Sequence, residues 1–115
     1  MQKRTDSEEK IEMKEKKLVA LTFDDGPTIG ITDQVLDVLQ ENQVTASFFL
    51  IGQQITPQTE YLVKRAHDMG CTIENHSKTH QSMPGQSKQE IVDEIRETTE
   101  RIEKIVGEKP EFFRP

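Results

Sequence analysis

Two short segments carry the residues that could do chemistry in this chain. Leu18-Val-Ala-Leu-Thr-Phe-Asp24-Asp25-Gly26-Pro27 delivers two adjacent carboxylates to a turn at the end of an apolar run. His76-Ser-Lys-Thr-His80 supplies two imidazoles four residues apart. Two His and one carboxylate form a recognised ligand set for a catalytic zinc ion, which commonly takes three protein ligands and keeps a position for water. A second carboxylate beside the ion can take the proton of that water, so one Asp would be ligand and its neighbour base. The spacing adds a condition. Two His at i and i+4 share one face of a helical turn, but in an extended strand they stand about 13 Å apart. The segment from His76 to His80 must therefore turn or coil to chelate one ion.

Each feature also has a plainer reading. Adjacent Asp residues before Gly-Pro are often only turn formers, and His76 and His80 could be exposed loop residues. Arg114 taken alone could be an ordinary surface arginine. A small α/β protein in which Asp24-Asp25 serves phosphoryl or other hydrolytic chemistry is a further reading. His67 has no partner in sequence and reads as a surface or partly buried structural histidine. Cys71, between Gly70 and a strand, reads as a small core residue.

The elements that must position these groups alternate. Leu18 to Phe23 is a short apolar run ended by Gly26-Pro27, which suits a strand buried on both faces. Thr32 can cap a helix to about Asn42 with Val35, Leu36, Val38 and Leu39 as its inner stripe. Ala46 to Ile51 reads as a second strand closed by Gly52. Thr56-Pro57 reads as a helix start, with Leu62, Val63, Ala66 and Met69 leading to a terminating Gly70. Cys71 to Asn75 is a third, weaker strand. Ser87-Lys-Gln-Glu90 has capping-box spacing, and Ile91, Ile95, Thr98, Ile102 and Ile105 recur at helical intervals up to Gly107. Glu111-Phe-Phe113 begins a fourth strand. This order predicts parallel strands joined by three helical crossovers, with chemistry gathered at the strands' carboxyl ends. Asp24 and Asp25, His76 and His80, and Arg114 all fall at such ends, and this convergence favours the metal-site reading.

Composition narrows the function. At 115 residues the chain is expected to hold one small domain. Of the first 17 residues 11 are charged, which predicts a flexible or frayed leader over 1–17 and a domain over 18–115. The net charge of −6 disfavours nucleic acid, whose phosphates need clustered Lys or Arg. No apolar run reaches the about 18 residues of a membrane span, and no apolar h-region marks a signal peptide. The single Cys71 excludes an internal disulfide.

Thr22-Phe-Asp-Asp-Gly-Pro27, then Ala46-Ser-Phe-Phe49, His76-Ser-Lys-Thr-His80 and Phe113-Arg-Pro115 together resemble the polysaccharide deacetylases of carbohydrate esterase family four, the NodB homology domain. The resemblance implies a partial (β/α) barrel. It implies that Asp25, His76 and His80 bind a divalent metal, usually zinc, that Asp24 is the general base, and that Arg114 holds the base by charge pairing. The implied partner is an acetylated polysaccharide such as chitin, peptidoglycan or xylan, and the family is often extracellular or bound to the cell wall. In that pattern a Pro and an aromatic residue follow the Arg-Pro pair, the latter's backbone N–H stabilising an oxyanion, and a later Leu-x-His supplies the acid. Neither is matched within these 115 residues, which predicts impaired activity or a non-catalytic metal- or glycan-binding remnant. About half a barrel would also expose sheet edges, which invite pairing with another chain, so a homo-oligomer is expected.

Overall fold

A computed structural model describes residues 17–115, so all of the expected leader except Lys17 lies outside the described residues. Three parallel strands form one sheet in the order β1-β2-β3: β1 is Thr22–Asp24, β2 Ser47–Leu50 and β3 Thr72–Asn75. Helices α1 (Thr32–Glu41), α2 (Glu60–Asp68) and α3 (Lys88–Val106) alternate with them, and a single 3-10 turn spans Gly52–Gln54. None of the described helices is long and apolar enough to cross a membrane.

Strand alternation divides the sheet into two faces. Phe48, Leu50 and Ile73 pack with Leu36, Leu39, Leu62, Val63 and Ala66 in one buried cluster, and Phe23 stacks on Phe48 with ring centroids 5.4 Å apart. The opposite face carries Asp24, Phe49 and Glu74 as direct neighbours across the three strands. One face thus makes the core, while the other carries charge.

α3 follows its local signals closely. The Ser87 hydroxyl oxygen accepts from the Glu90 N–H at 3.2 Å, and Gly107 ends the helix in the left-handed region at φ 81°. Its inner side meets the loop after β2 very tightly. A Cβ on Gly52 would stand 2.1 Å from Thr98 Oγ1, so only glycine lets the 3-10 turn approach the helix. Arg101 then donates to the Gly52 carbonyl at 2.7 Å.

Five expectations change. Leu18, Val19 and Leu21 are exposed and the first strand begins only at Thr22, because β1 lies at the sheet edge with β2 as its one described neighbour. Ile31, not Thr32, stands at the start of α1; the Thr32 hydroxyl instead accepts from the Thr28 N–H at 2.9 Å, closing the preceding turn. Val38 of the predicted inner stripe is exposed. α2 starts at Glu60 rather than at Thr56-Pro57, since the Thr59 hydroxyl donates to the Gln54 carbonyl at 2.7 Å and accepts from the Thr56 N–H at 2.9 Å, holding those residues in a turn. The fourth strand is reduced to one parallel bridge between Asn75 and Phe113. There the Glu74 side chain takes the N–H groups of Glu111 and Phe112, leaving few for a ladder.

Candidate metal centre

Asp24 is the last residue of β1, and Asp25 follows it in a left-handed conformation at φ 72°. Asp is among the few residues that tolerate this region, and the turn sends the two carboxylates to different partners. Asp24 Oδ1 accepts from Arg114 Nη1 in a short ion pair. Asp25 Oδ1 instead lies 3.2 Å from His76 Nε2 and 3.7 Å from His80 Nε2. One ligand atom from each of Asp25, His76 and His80 falls within 4.8 Å of the others.

The coil that this pairing requires is built from left-handed residues at Ser77, φ 67°, and His80, φ 61°. Such conformations cost of order 1–3 kcal/mol each and persist only where the surroundings fix them. Two side chains do the fixing. Asn75, 1% exposed, accepts from the Ser77 N–H at 2.9 Å and donates to the Ile95 carbonyl and the Thr99 hydroxyl of α3. Glu94 of α3 accepts from the N–H groups of Lys78 and Thr79 at 3.0 and 2.9 Å and from the Thr79 hydroxyl at 2.7 Å. The Ser77 hydroxyl oxygen accepts from the His80 N–H.

His76 is buried and His80 exposed, with ring centroids 4.6 Å apart and edge to face. His76 Nδ1 lies 2.8 Å from the Arg114 carbonyl oxygen. A carbonyl can only accept, so Nδ1 carries the proton and a neutral His76 presents a bare lone pair at Nε2. That lone pair faces a carboxylate oxygen 3.2 Å away. Two acceptors at this distance need a positive charge between or beside them, and a cation bound by both meets that need. This hydrogen bond from the outer nitrogen is the usual second-sphere support of a metal-bound histidine. The donor set therefore fits a divalent metal.

Arg114 crosses above the sheet's charged face, its guanidinium carbon 4.0 Å from the Phe49 ring centroid, a cation–π distance. All five residues singled out in the sequence thus lie together: Asp25, His76 and His80 as one group, Asp24 and Arg114 as an ion pair beside it. His67 and Cys71 lie apart, His67 Nε2 at 3.4 Å from Glu108 Oε2 and Cys71 buried in the core. Sequence reasoning missed Glu74, Asn75 and Glu94, which hold the segments in place. A carboxylate and an amide inside a strand leading to His76 were the available signal for the first two.

Comparison with known proteins finds consistent matches. A family model described as polysaccharide deacetylase matches residues 12–115. The chain is 44% identical over 99 residues to a bifunctional xylanase/deacetylase of Pseudobutyrivibrio xylanivorans, covering 86% of this chain and 16% of that protein. It is 37% identical over 97 residues to a peptidoglycan-N-acetylglucosamine deacetylase of Bacillus cereus, covering 84% and 35%. Among solved structures, a family 4 acetyl xylan esterase from Clostridium thermocellum, in complex with a cobalt ion, superimposes with a TM-score of 0.84 at 41% identity, covering 86% of this chain and 48% of that one. The chain thus spans about half the length of that structure and much less of the curated relatives.

Proposed function

The chain belongs to the polysaccharide deacetylase family, and from that premise we propose that it serves metal-dependent hydrolysis of acetyl groups on a polysaccharide such as chitin, peptidoglycan or xylan. Its fold is a partial (β/α) barrel of that family's kind. The observation that supports the reading best is the Asp25-His76-His80 group, within 4.8 Å, with His76 Nδ1 committed to the Arg114 carbonyl.

Asp25, His76 and His80 would hold the metal, and two imidazoles with one carboxylate suit Zn2+. When bound, the metal would supply Lewis-acid polarisation of the acetyl carbonyl and a lower pKa for water. Asp24 accepts the proton of the attacking water. Arg114 engages Asp24 Oδ1, which leaves Oδ2 to take that proton and keeps the carboxylate from swinging towards the imidazoles. The Phe49 ring, 6% exposed, fixes the guanidinium from below and carries no proton itself.

Acetate release from N-acetylglucosamine oligomers and from acetylated xylan tests the reading. A polypeptide of these 115 residues is expected to release acetate slowly, because lack of a general acid removes a factor of about 10²–10⁴ and lack of an oxyanion donor about 10²–10³. The residual rate should vanish with a chelator and in Asp24→Ala. Turnover in the ordinary range of about 1–10³ per second would contradict the expected impairment. Metal binding with no acetate release that depends on Asp24 would favour a non-catalytic metal- or glycan-binding module.

The exposed Leu18, Val19 and Leu21 beside the edge strand β1, with Ile31 just before α1 and Val38 on it, support self-association as part of the same reading. Among the described residues β1 has no second neighbour, and such an edge offers backbone groups for pairing. Light scattering at micromolar concentration is expected to give a mass above that of one 13.2 kDa chain; a well-folded monomer would remove this part of the reading.

A further inference from the structure

Glu74 is 2% exposed, and its one described use is to hold the backbone that carries Arg114. Its Oε1 accepts from the Glu111 N–H at 2.8 Å and from the Phe112 N–H at 3.1 Å. Burying a carboxylate is costly unless it is well bonded, so a carboxylate set on two backbone donors marks a fixed junction. On either side of it, the Asn75 N–H donates to the Phe112 carbonyl at 3.1 Å and the Arg114 N–H donates to the Asn75 carbonyl at 2.9 Å. This run ends where the Arg114 carbonyl receives His76 Nδ1 and the guanidinium reaches Asp24 across Phe49.

We propose that Glu74 is a positioning residue for both halves of the centre: by clamping the N–H groups of Glu111 and Phe112, it sets the Arg114 carbonyl that fixes the His76 tautomer and the guanidinium that holds Asp24. The cross-strand row Asp24, Phe49, Glu74 gives this a geometric basis. Asp24 and Glu74 stand at the two ends of the row, Arg114 lies over its middle, and each carboxylate grips the same chain segment, one through its side chain and the other through its backbone. Glu74 touches neither the proposed metal nor substrate. The metal consequence rests on the reading in the preceding subsection, whereas the tautomer consequence does not.

The full 115-residue chain, free of metal, is the sample for the test. Nitrogen-15 NMR of the imidazoles is expected to find Nδ1 of His76 protonated, as its bond to the Arg114 carbonyl requires. In Glu74→Ala the population of His76 with an unprotonated Nδ1 should rise several-fold, while the His80 signals move little. A folded Glu74→Ala chain with unchanged His76 signals would overturn the proposal. Glu74→Gln keeps the shape and an accepting oxygen but loses the charge that strengthens both bonds. It should restore the His76 tautomer while the Glu111 and Phe112 amide protons move upfield more than any others outside residues 73–75. If those two amides stay in place the proposal fails, whether or not Glu74→Ala folds. Zn2+ affinity is expected to fall about 10–100-fold in Glu74→Ala, as for other second-sphere changes. A wild-type chain without Zn2+ affinity would overturn the metal reading and leave the tautomer result to decide on Glu74.

Discussion

Asp25→Ala is expected to abolish tight divalent-metal binding, while Asp24→Ala leaves the metal bound and removes acetate release. The two carboxylates are adjacent in sequence, yet the left-handed turn at Asp25 separates their partners. Among the described residues Asp25 is the one carboxylate near both Nε2 atoms, at 3.2 and 3.7 Å, so its loss leaves two neutral imidazoles and no charged ligand in the group. Zn2+ affinity should then fall by more than the about 10–100-fold typical of second-sphere changes, and His76→Ala and His80→Ala should fall comparably. Asp25→Asn separates ligand loss from backbone strain, because Asn tolerates the left-handed region but carries no charge. Competition against a metal-binding dye measures all five variants beside the wild type. Equal affinity in wild type and Asp25→Ala would contradict the ligand assignment, and so would loss of the metal in Asp24→Ala.

The site was more legible in the sequence than the structure that holds it, and the reason is range. Asp24, Asp25, His76 and His80 announce themselves because the carboxylate pair and the imidazole pair are each local in sequence. The same holds for α3, where Ser87, Glu90 and Gly107 act within their own turns. Glu74 and Glu94 work through partners many residues away: Glu74 on Glu111 and Phe112, Glu94 on Lys78 and Thr79. A carboxylate inside a strand can mark Glu74 as unusual, but nothing in the local pattern of a strand or an amphipathic helix names the partner of such a bond. The errors in the elements have the same source. Leu18 to Phe23 is expected to be buried because its composition is apolar, but burial depends on neighbours, and among the described residues β1 has only β2 beside it. Phe112 and Phe113 have strand-like composition, yet the Phe112 N–H is claimed by a side chain and only one bridge forms. Thr56-Pro57 has the composition of a helix start, and the hydroxyl of Thr59 overrides it.

Asn75→Ala should show the cost of the supporting structure apart from the ligands. The Asn75 side chain joins β3, the His76–His80 coil and α3 at one buried point through its bonds to Ser77, Ile95 and Thr99. Its removal leaves the Ser77 N–H without its acceptor in a left-handed residue, and opens a small void beneath the helix. The Ile95 carbonyl and the Thr99 hydroxyl lie in α3 and retain helical alternatives, so most of the loss falls on Ser77 and on the void. The combined cost is about 2–4 kcal/mol, a large part of the roughly 5–15 kcal/mol that holds a typical domain folded. Urea denaturation of the metal-free chain should show a lower midpoint at an unchanged slope. A midpoint equal to that of wild type would remove Asn75 from this role. Asn75→Asp is expected to be worse than Asn75→Ala, because it places a carboxylate oxygen against the Ile95 carbonyl. The contrast with Asp25→Asn is the decisive comparison. That variant should lose the metal while keeping the metal-free midpoint, whereas Asn75→Ala should lower both together, because its coil must be folded before His80 can join His76 on one ion.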